Sequence, residues 1–147
     1  MKILQITENK EKYMDLLLIG DEQESMIKKY LNKGDLFALY DDDLKTVAVV
    51  TNENDDTYEI KNIATYEKYR GKGYGSSMIK YIIQYYKNQC KFLILGTGEN
   101  EKILSFYKNL GFIYSHTIKD FFIDNYDHVI IEDGVQLKDM IYLKMEL

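Results

Sequence analysis

Residues 69–77, YRGKGYGSS, place glycines at 71, 73 and 75, set among Arg70 and Lys72 and followed by Ser76 and Ser77. Glycine loses more backbone entropy on ordering than any other residue. Three on alternate positions therefore imply a chain that bends tightly or lets something approach its backbone. Beyond them, Met78, Ile79, Ile82, Ile83 and Tyr86 recur at helical spacing, which predicts a helix over about 75–88. The first turn of a helix leaves N–H groups unpaired and carries the positive end of the helix dipole. Glycines there admit phosphate oxygens, the serines add hydroxyl donors, and Arg70 and Lys72 add charge. The chemistry is that of a phosphate cradle.

Two familiar cradles are excluded by counting. The Walker pattern G-x-x-x-x-G-K-[ST] and the dinucleotide fingerprint G-x-G-x-x-G, started at Gly71, both need glycine where Ser76 stands. A glycine-rich turn holding no ligand is the plain alternative.

The rest of the chain narrows the setting. Its 147 residues suit one domain, 1–147, and 46% hydrophobic content suits a buried core. A single cysteine, Cys90, excludes an internal disulfide and multi-cysteine zinc patterns. His116 and His128 lack metal-ligand spacing, so no metal site is expected; either could border an acceptor site. The first residues turn polar too soon for a signal peptide, and no apolar run would span a bilayer. The expectation is a reduced, cytoplasmic protein with no membrane partner. A net charge of −5 argues against a nucleic-acid partner. Charge is uneven, however: Lys61, Lys68, Arg70, Lys72 and Lys80 face only Glu67 across 61–80, whereas 119–139 carries six acids against two lysines.

The elements that must position the cradle follow from periodicity. KILQIT reads as a first strand, and 11–32 as two helical pieces broken near Gly20. DLFALY and KTVAVVT form a hairpin, and TYEIKNIAT is the strand that enters the glycine loop. After the helix come the continuous apolar strand KFLILGT, the helix ENEKILSFYKNL closed by Gly111, and the strands FIYSHTI and MIYLKMEL. The segment between these last two reads as an acidic connection. The order β-α-α-β-β-β-α-β-α-β-β is a single-domain α/β fold with a mixed sheet.

Arg70-x-x-Gly73-x-Gly75 resembles the R/Q-x-x-G-x-G/A loop of the GNAT acetyltransferase superfamily. YEIKNIATYEKYRGKGYGSSMIKYI resembles that family's strand–loop–helix core, and NEKILSFYKNLGF its second motif. The order of elements matches along nearly the whole chain. One departure is Thr65 and Glu67 where many relatives have V-x-P; the strand end contributes only backbone there. The resemblance implies the GNAT fold, a mostly antiparallel sheet flanked by helices, and acetyl-CoA as co-substrate. Its pyrophosphate would lie on the loop, held by Arg70, Gly71, Lys72, Gly73, Tyr74, Gly75 and Ser76. Its pantetheine would run beside Ile63, Ala64 and Thr65 as an added strand, hydrogen-bonded by Asn100.

Acetyl transfer to an amine needs the amine neutral and placed, a donor for the oxyanion, and a proton for the leaving thiolate. By its place in the motif Tyr107 would point at the CoA sulfur and act as the acid. Glu59 would be the base, as in the histone-acetyltransferase branch. Period-two alternation puts Glu59 on one face with Lys61, Ile63 and Thr65, and an ordered water chain is the alternative. A rival base position on the strand before Asn100 is Gly96 here.

The acceptor is expected to be a primary amine: a small one, drawn as a cation by the acids of 119–139, or a protein N-terminus. A non-catalytic acyl-CoA-binding module is the competing class. The last strand is of a kind that pairs or packs in dimers.

Overall fold

The computed structural model describes residues Met1–Leu147. Its strands are β1 (Lys2–Ile6), β2 (Asp35–Asp41), β3 (Asp43–Asn54), β4 (Thr57–Thr65), β5 (Phe92–Gly98), β6 (Ile113–Ile118), β7 (Ile131–Glu132), β8 (Val135–Gln136) and β9 (Met140–Glu146). The helices are α1 (Met14–Gly20), α2 (Glu24–Lys28), α3 (Tyr74–Tyr86), α4 (Glu101–Asn109) and α5 (Phe121–Asn125). Seven strands form one sheet in the order β1-β2-β3-β4-β5-β9-β6. Every neighbouring pair is antiparallel except β4 and β5. No helix is long and apolar enough to cross a membrane.

The sheet is covered on both faces, which explains why its central strands read as nearly continuous apolar runs. One face packs under α3 and α4: Met78, Ile79, Ile82 and Tyr86 meet Phe37, Leu39, Ile60, Leu93 and Leu95, with Leu104 and Tyr107 alongside. The other face packs Leu16, Leu17, Ile27 and Tyr30 against Leu36, Ala38, Val47, Val49 and Ala64.

Two features of β4 shape everything that follows. Its register against β3 jumps from Val50↔Ile60 to Val49↔Asn62, so Lys61 is an extra residue in the ladder. A bulge of this kind reverses the alternation. Ile60 accordingly packs on the α3 side and Ala64 on the α1 side, although they stand four positions apart. Second, β4 pairs with β5 only over Thr57–Ile60 against Phe92–Leu95. Beyond that point Asn62–Thr65 stay with β3 and Gly96–Gly98 with β9. The two strands splay, and their facing edges carry backbone groups without a strand partner.

The acidic connection between β6 and β9 is structured. Phe121–Asn125 form α5, and Ile131↔Gln136 and Glu132↔Val135 pair as a hairpin. Asp133 (φ 51°) and Gly134 (φ 79°) supply the two left-handed residues of its turn. Phe122, Ile130 and Leu137 bury a small core beneath it.

Candidate active site

The loop after β4 is built from backbone that needs acceptors. Gly71 (φ 77°) and Gly73 (φ 85°) lie in the left-handed region, where a side chain is strained. A Cβ at either would meet nothing within 4 Å, so the glycines serve conformation and close approach, not internal packing. Helix α3 begins at Tyr74, one residue ahead of the predicted start, and its N-cap Gly73 has no side chain with which to cap it. Arg70 N–H donates to Glu67 O and Ser77 N–H to Gly73 O; none of the N–H groups from Gly71 to Ser76 between them meets a backbone carbonyl. The loop is held at both ends. Tyr69 donates to Asp43 (2.9 Å) beneath the buried Lys45 ammonium, 3.5 Å from its ring centroid, and Tyr74 donates to Asp41 (2.7 Å). Arg70 folds its Nε back onto Thr65 O at 3.3 Å.

This loop forms one end of a cavity of about 650 Å³ that runs along the splay. Ile63, Ala64, Thr65, Arg70, Gly71, Gly73, Tyr74, Gly75, Ser76 and Tyr107 all line it. Lys72 does not; its ammonium sits 5.8 Å from the Tyr69 ring centroid. Asn100 does not line it either, and here the sequence expectation is corrected. Its Oδ1 accepts from Lys102 N (3.0 Å) and Ile103 N (3.3 Å), capping α4, while Nδ2 donates to Glu132 (2.9 Å) and Asp133 (2.8 Å). An amide offers two donors and two acceptor positions. All are in use, which leaves none for a pantetheine arm.

Tyr107 is buried, its ring edge-on to Phe106 and Phe112 at 5.1 and 5.9 Å. Burial first, then the nearby Glu132 carboxylate, raises its pKa well above that of a free phenol. It stays protonated at any physiological pH and can donate.

A second cavity of about 270 Å³ adjoins the first, sharing Ile60, Lys61, Gly96, Thr97 and Glu132 with it. Glu59 lines this one, not the first. Because of the bulge at Lys61, Glu59 does not share a face with Ile63 and Thr65; the alternation argument fails there. Its Oε2 accepts from Tyr142 (3.0 Å) and lies 3.3 Å from the Lys61 ammonium. Burial raises its pKa, opposed by Lys61 and Tyr142. Gly96 makes this arrangement possible, since a Cβ there would meet Met140 Sδ at 2.5 Å and Tyr142 Cζ at 3.0 Å.

Of the acids of 119–139 expected to wall the acceptor end, only Glu132 does. Asp124 and Asp127 line neither cavity; Asp127 pairs with His128, which reaches Glu22 at 3.5 Å. From 119–139 the second cavity takes Phe121, Phe122, Tyr126, Ile130, Leu137 and a single carboxylate, Glu132. His116 is exposed and stacks on Tyr142 at 4.7 Å. Sequence reasoning missed Glu132 and Tyr142. For Glu132 a signal existed: Asp133-Gly134 between β-branched neighbours marks a hairpin.

Comparison with known proteins fits this geometry. Residues 6–112 match the model of the acetyltransferase (GNAT) family. A relative from Bacillus subtilis (strain 168), the uncharacterized N-acetyltransferase YvbK, is 34% identical over 144 residues, covering 95% of this chain and 92% of its own. Among solved structures, a GNAT family acetyltransferase from Elizabethkingia anophelis with acetyl-CoA bound superposes with a TM-score of 0.93 at 36% identity, over 99% of this chain and 97% of that one. The IAA acetyltransferase from Bacillus cereus gives 0.93 at 32% identity, over 99% of each chain. With a matching family model over most of its length and relatives above 30% identity along nearly all of it, the chain belongs to the GNAT acetyltransferase family.

Proposed function

We propose that the protein transfers the acetyl group of acetyl-CoA to a primary amine by direct attack in a ternary complex. The observation that carries this reading is the pair of adjoining cavities at the β4/β5 splay. One runs from the unpaired N–H groups of Gly71–Ser76 to Tyr107, and the other holds Glu59. Acetyl-CoA supplies a thioester whose acyl carbon is open to a neutral amine. The loop binds its diphosphate, and the free edge of β4 lies beside its pantetheine arm, offering main-chain donors to the oxyanion. Glu59 takes the proton that the amine loses, and Tyr107 gives one to the departing sulfur. The C–N bond forms first, and the oxyanion then collapses with loss of the C–S bond, so no covalent enzyme adduct is needed.

Initial rates test the mechanism. Varying acetyl-CoA at several fixed amine concentrations should give intersecting double-reciprocal lines; parallel lines would indicate an acetylated enzyme and overturn the ternary complex.

Glu59 carries a prediction of its own. A base works only when ionised, and burial raises this carboxyl above the ordinary range. As pH falls through that raised value, kcat/KM should fall with it, producing an acid limb above the usual carboxylate range. Glu59→Gln should erase this limb and lower kcat/KM on the plateau by roughly 10²–10⁴-fold. If the limb persists in Glu59→Gln at a near-normal rate, a water chain is the base.

A further inference from the structure

Four carboxylates line the cavity assigned to the acceptor: Asp21, Glu22, Glu59 and Glu132. Three are already answered within the protein. Asp21 accepts from Tyr126 (2.6 Å) on one oxygen and from Tyr30 (2.8 Å) on the other. Glu22 faces His128 at 3.5 Å, and Glu59 has Lys61 and Tyr142. Glu132 is different. Its one hydrogen-bond partner is the neutral Asn100 amide, on Oε1. It has no cation within ion-pair distance, and it is partly buried. Lys29 and Lys33 line the cavity too, from the exposed rim beyond α2.

The fold puts Glu132 where the two cavities meet, since it lines both, and close enough to Tyr107 for its charge to act on that phenol. Its place is constructed. A Cβ at Gly98 would meet Leu137 Cδ1 at 2.6 Å, so the missing side chain lets Leu137 seat on β5. Leu137 N donates to Ile130 O at 2.8 Å, closing the base of the hairpin that carries Glu132. Beside it, the same wall is aromatic: Phe122 and Tyr126 stack at 5.7 Å, with Phe121 edge-on to Phe122 at 5.5 Å.

We propose that Glu132 is the acceptor-positioning residue, and that the acceptor class is a primary amine with an aromatic or similarly apolar body. This rests on the amine-acetylation reading above. The ammonium of the arriving amine meets the one carboxylate of the acceptor cavity that has neither an ion pair nor a hydroxyl donor, with Arg70 acting on it only from beyond ion-pair distance. Its body lies on the Phe122–Tyr126 wall, whose burial of apolar surface favours an arylalkylamine over a short polar amine. Holding the nitrogen at the junction places it beside the acyl carbon; the ammonium first gives one proton to solvent, and the neutral nitrogen then attacks, its second proton passing to Glu59 as the C–N bond forms.

The test uses 2-phenylethylamine and ethanolamine with the full chain. The wild type should use 2-phenylethylamine with a kcat/KM at least about tenfold that for ethanolamine, as expected for burying a ring. Glu132→Gln keeps the shape and an acceptor for Asn100 but loses the charge. It should raise the KM for 2-phenylethylamine about tenfold or more, the size of a lost charge-assisted hydrogen bond, with melting temperature and acetyl-CoA dissociation constant unmoved. Glu132→Asp should recover part of the loss. Asp124→Asn, a carboxylate of the same connection outside both cavities, should leave KM unchanged. A merely structural role would instead move the melting temperature or acetyl-CoA affinity and spare the acceptor KM. If the wild type turns over 2-phenylethylamine and Glu132→Gln matches its KM, or Asp124→Asn raises KM equally, the inference is overturned alone. If ethanolamine is the equal or better substrate, the apolar-body assignment falls. If the wild type acetylates no primary amine, the amine reading falls with it.

Discussion

Tyr107→Phe should keep acetyl-CoA affinity and lower kcat by roughly 10²–10⁴-fold, the range for losing a general acid. The argument is one of placement and proton affinity. The ring is fixed by Phe106 and Phe112, so phenylalanine fills the same space without repacking. Burial and Glu132 both disfavour the phenolate, so the wild-type hydroxyl arrives protonated across the working range. A thiolate leaving without that proton is a poorer leaving group, and the cost falls on the chemical step alone. Single-turnover acetyl transfer isolates that step from product release. An unchanged single-turnover rate would remove Tyr107 from the mechanism.

Gly73→Val should weaken acetyl-CoA binding by roughly 10²–10⁴-fold. A β-branched residue at φ 85° is strained, and relieving the strain turns the N–H groups of the loop away from a common focus. Losing two charge-assisted hydrogen bonds of about 1.5–3 kcal/mol each corresponds to roughly 10²–10⁴-fold in affinity. Gly75 separates strain from blockage. It lies inside α3 without a positive φ, and a Cβ there meets Phe106 and Thr65 only at 3.8 and 3.9 Å. Gly75→Val should therefore melt no lower than the wild type, since glycine is a poorer helix former than valine. It should nevertheless bind acetyl-CoA more weakly than the wild type, because the new side chain projects into the cavity that Gly75, Thr65 and Phe106 line. Calorimetric titration of both variants, with melting curves, checks the pair; acetyl-CoA affinity equal to wild type in both would refute the cradle.

Local signals made the glycine loop and the helix that carries Tyr107 legible. Glycines at 71 and 73, the helical period beginning at Met78 and the FYKNLGF stretch each act within a few residues. What was not legible depended on register. The extra residue at Lys61 is invisible in a run of strand-forming residues, yet it turned Glu59 to the opposite face from Ile63 and Thr65. Asn100 shows the opposite case: an Asn immediately before a helical pattern is a ready N-cap, and here its carbonyl oxygen caps α4. The 119–139 segment misled through composition. Its net acidity suggested an electrostatic wall, but Asp124 and Asp127 face away while Phe121, Phe122 and Tyr126 turn inward. Burial of the aromatics ordered that chain, and of its acids only Glu132 lines the acceptor cavity with them.

The central claim is that the two cavities work as one site, with the acyl donor in one and an amine in the other. Coupled stoichiometry tests it most directly. The purified protein is given acetyl-CoA and 2-phenylethylamine, and free thiol and acetylated amine are measured together by thiol titration and mass spectrometry. The account predicts one thiol released per amine acetylated, with both falling together in Tyr107→Phe and in Gly73→Val. Thiol release at the same rate without an amine, or acetyl-CoA binding with no acetylated product from any primary amine, would contradict it.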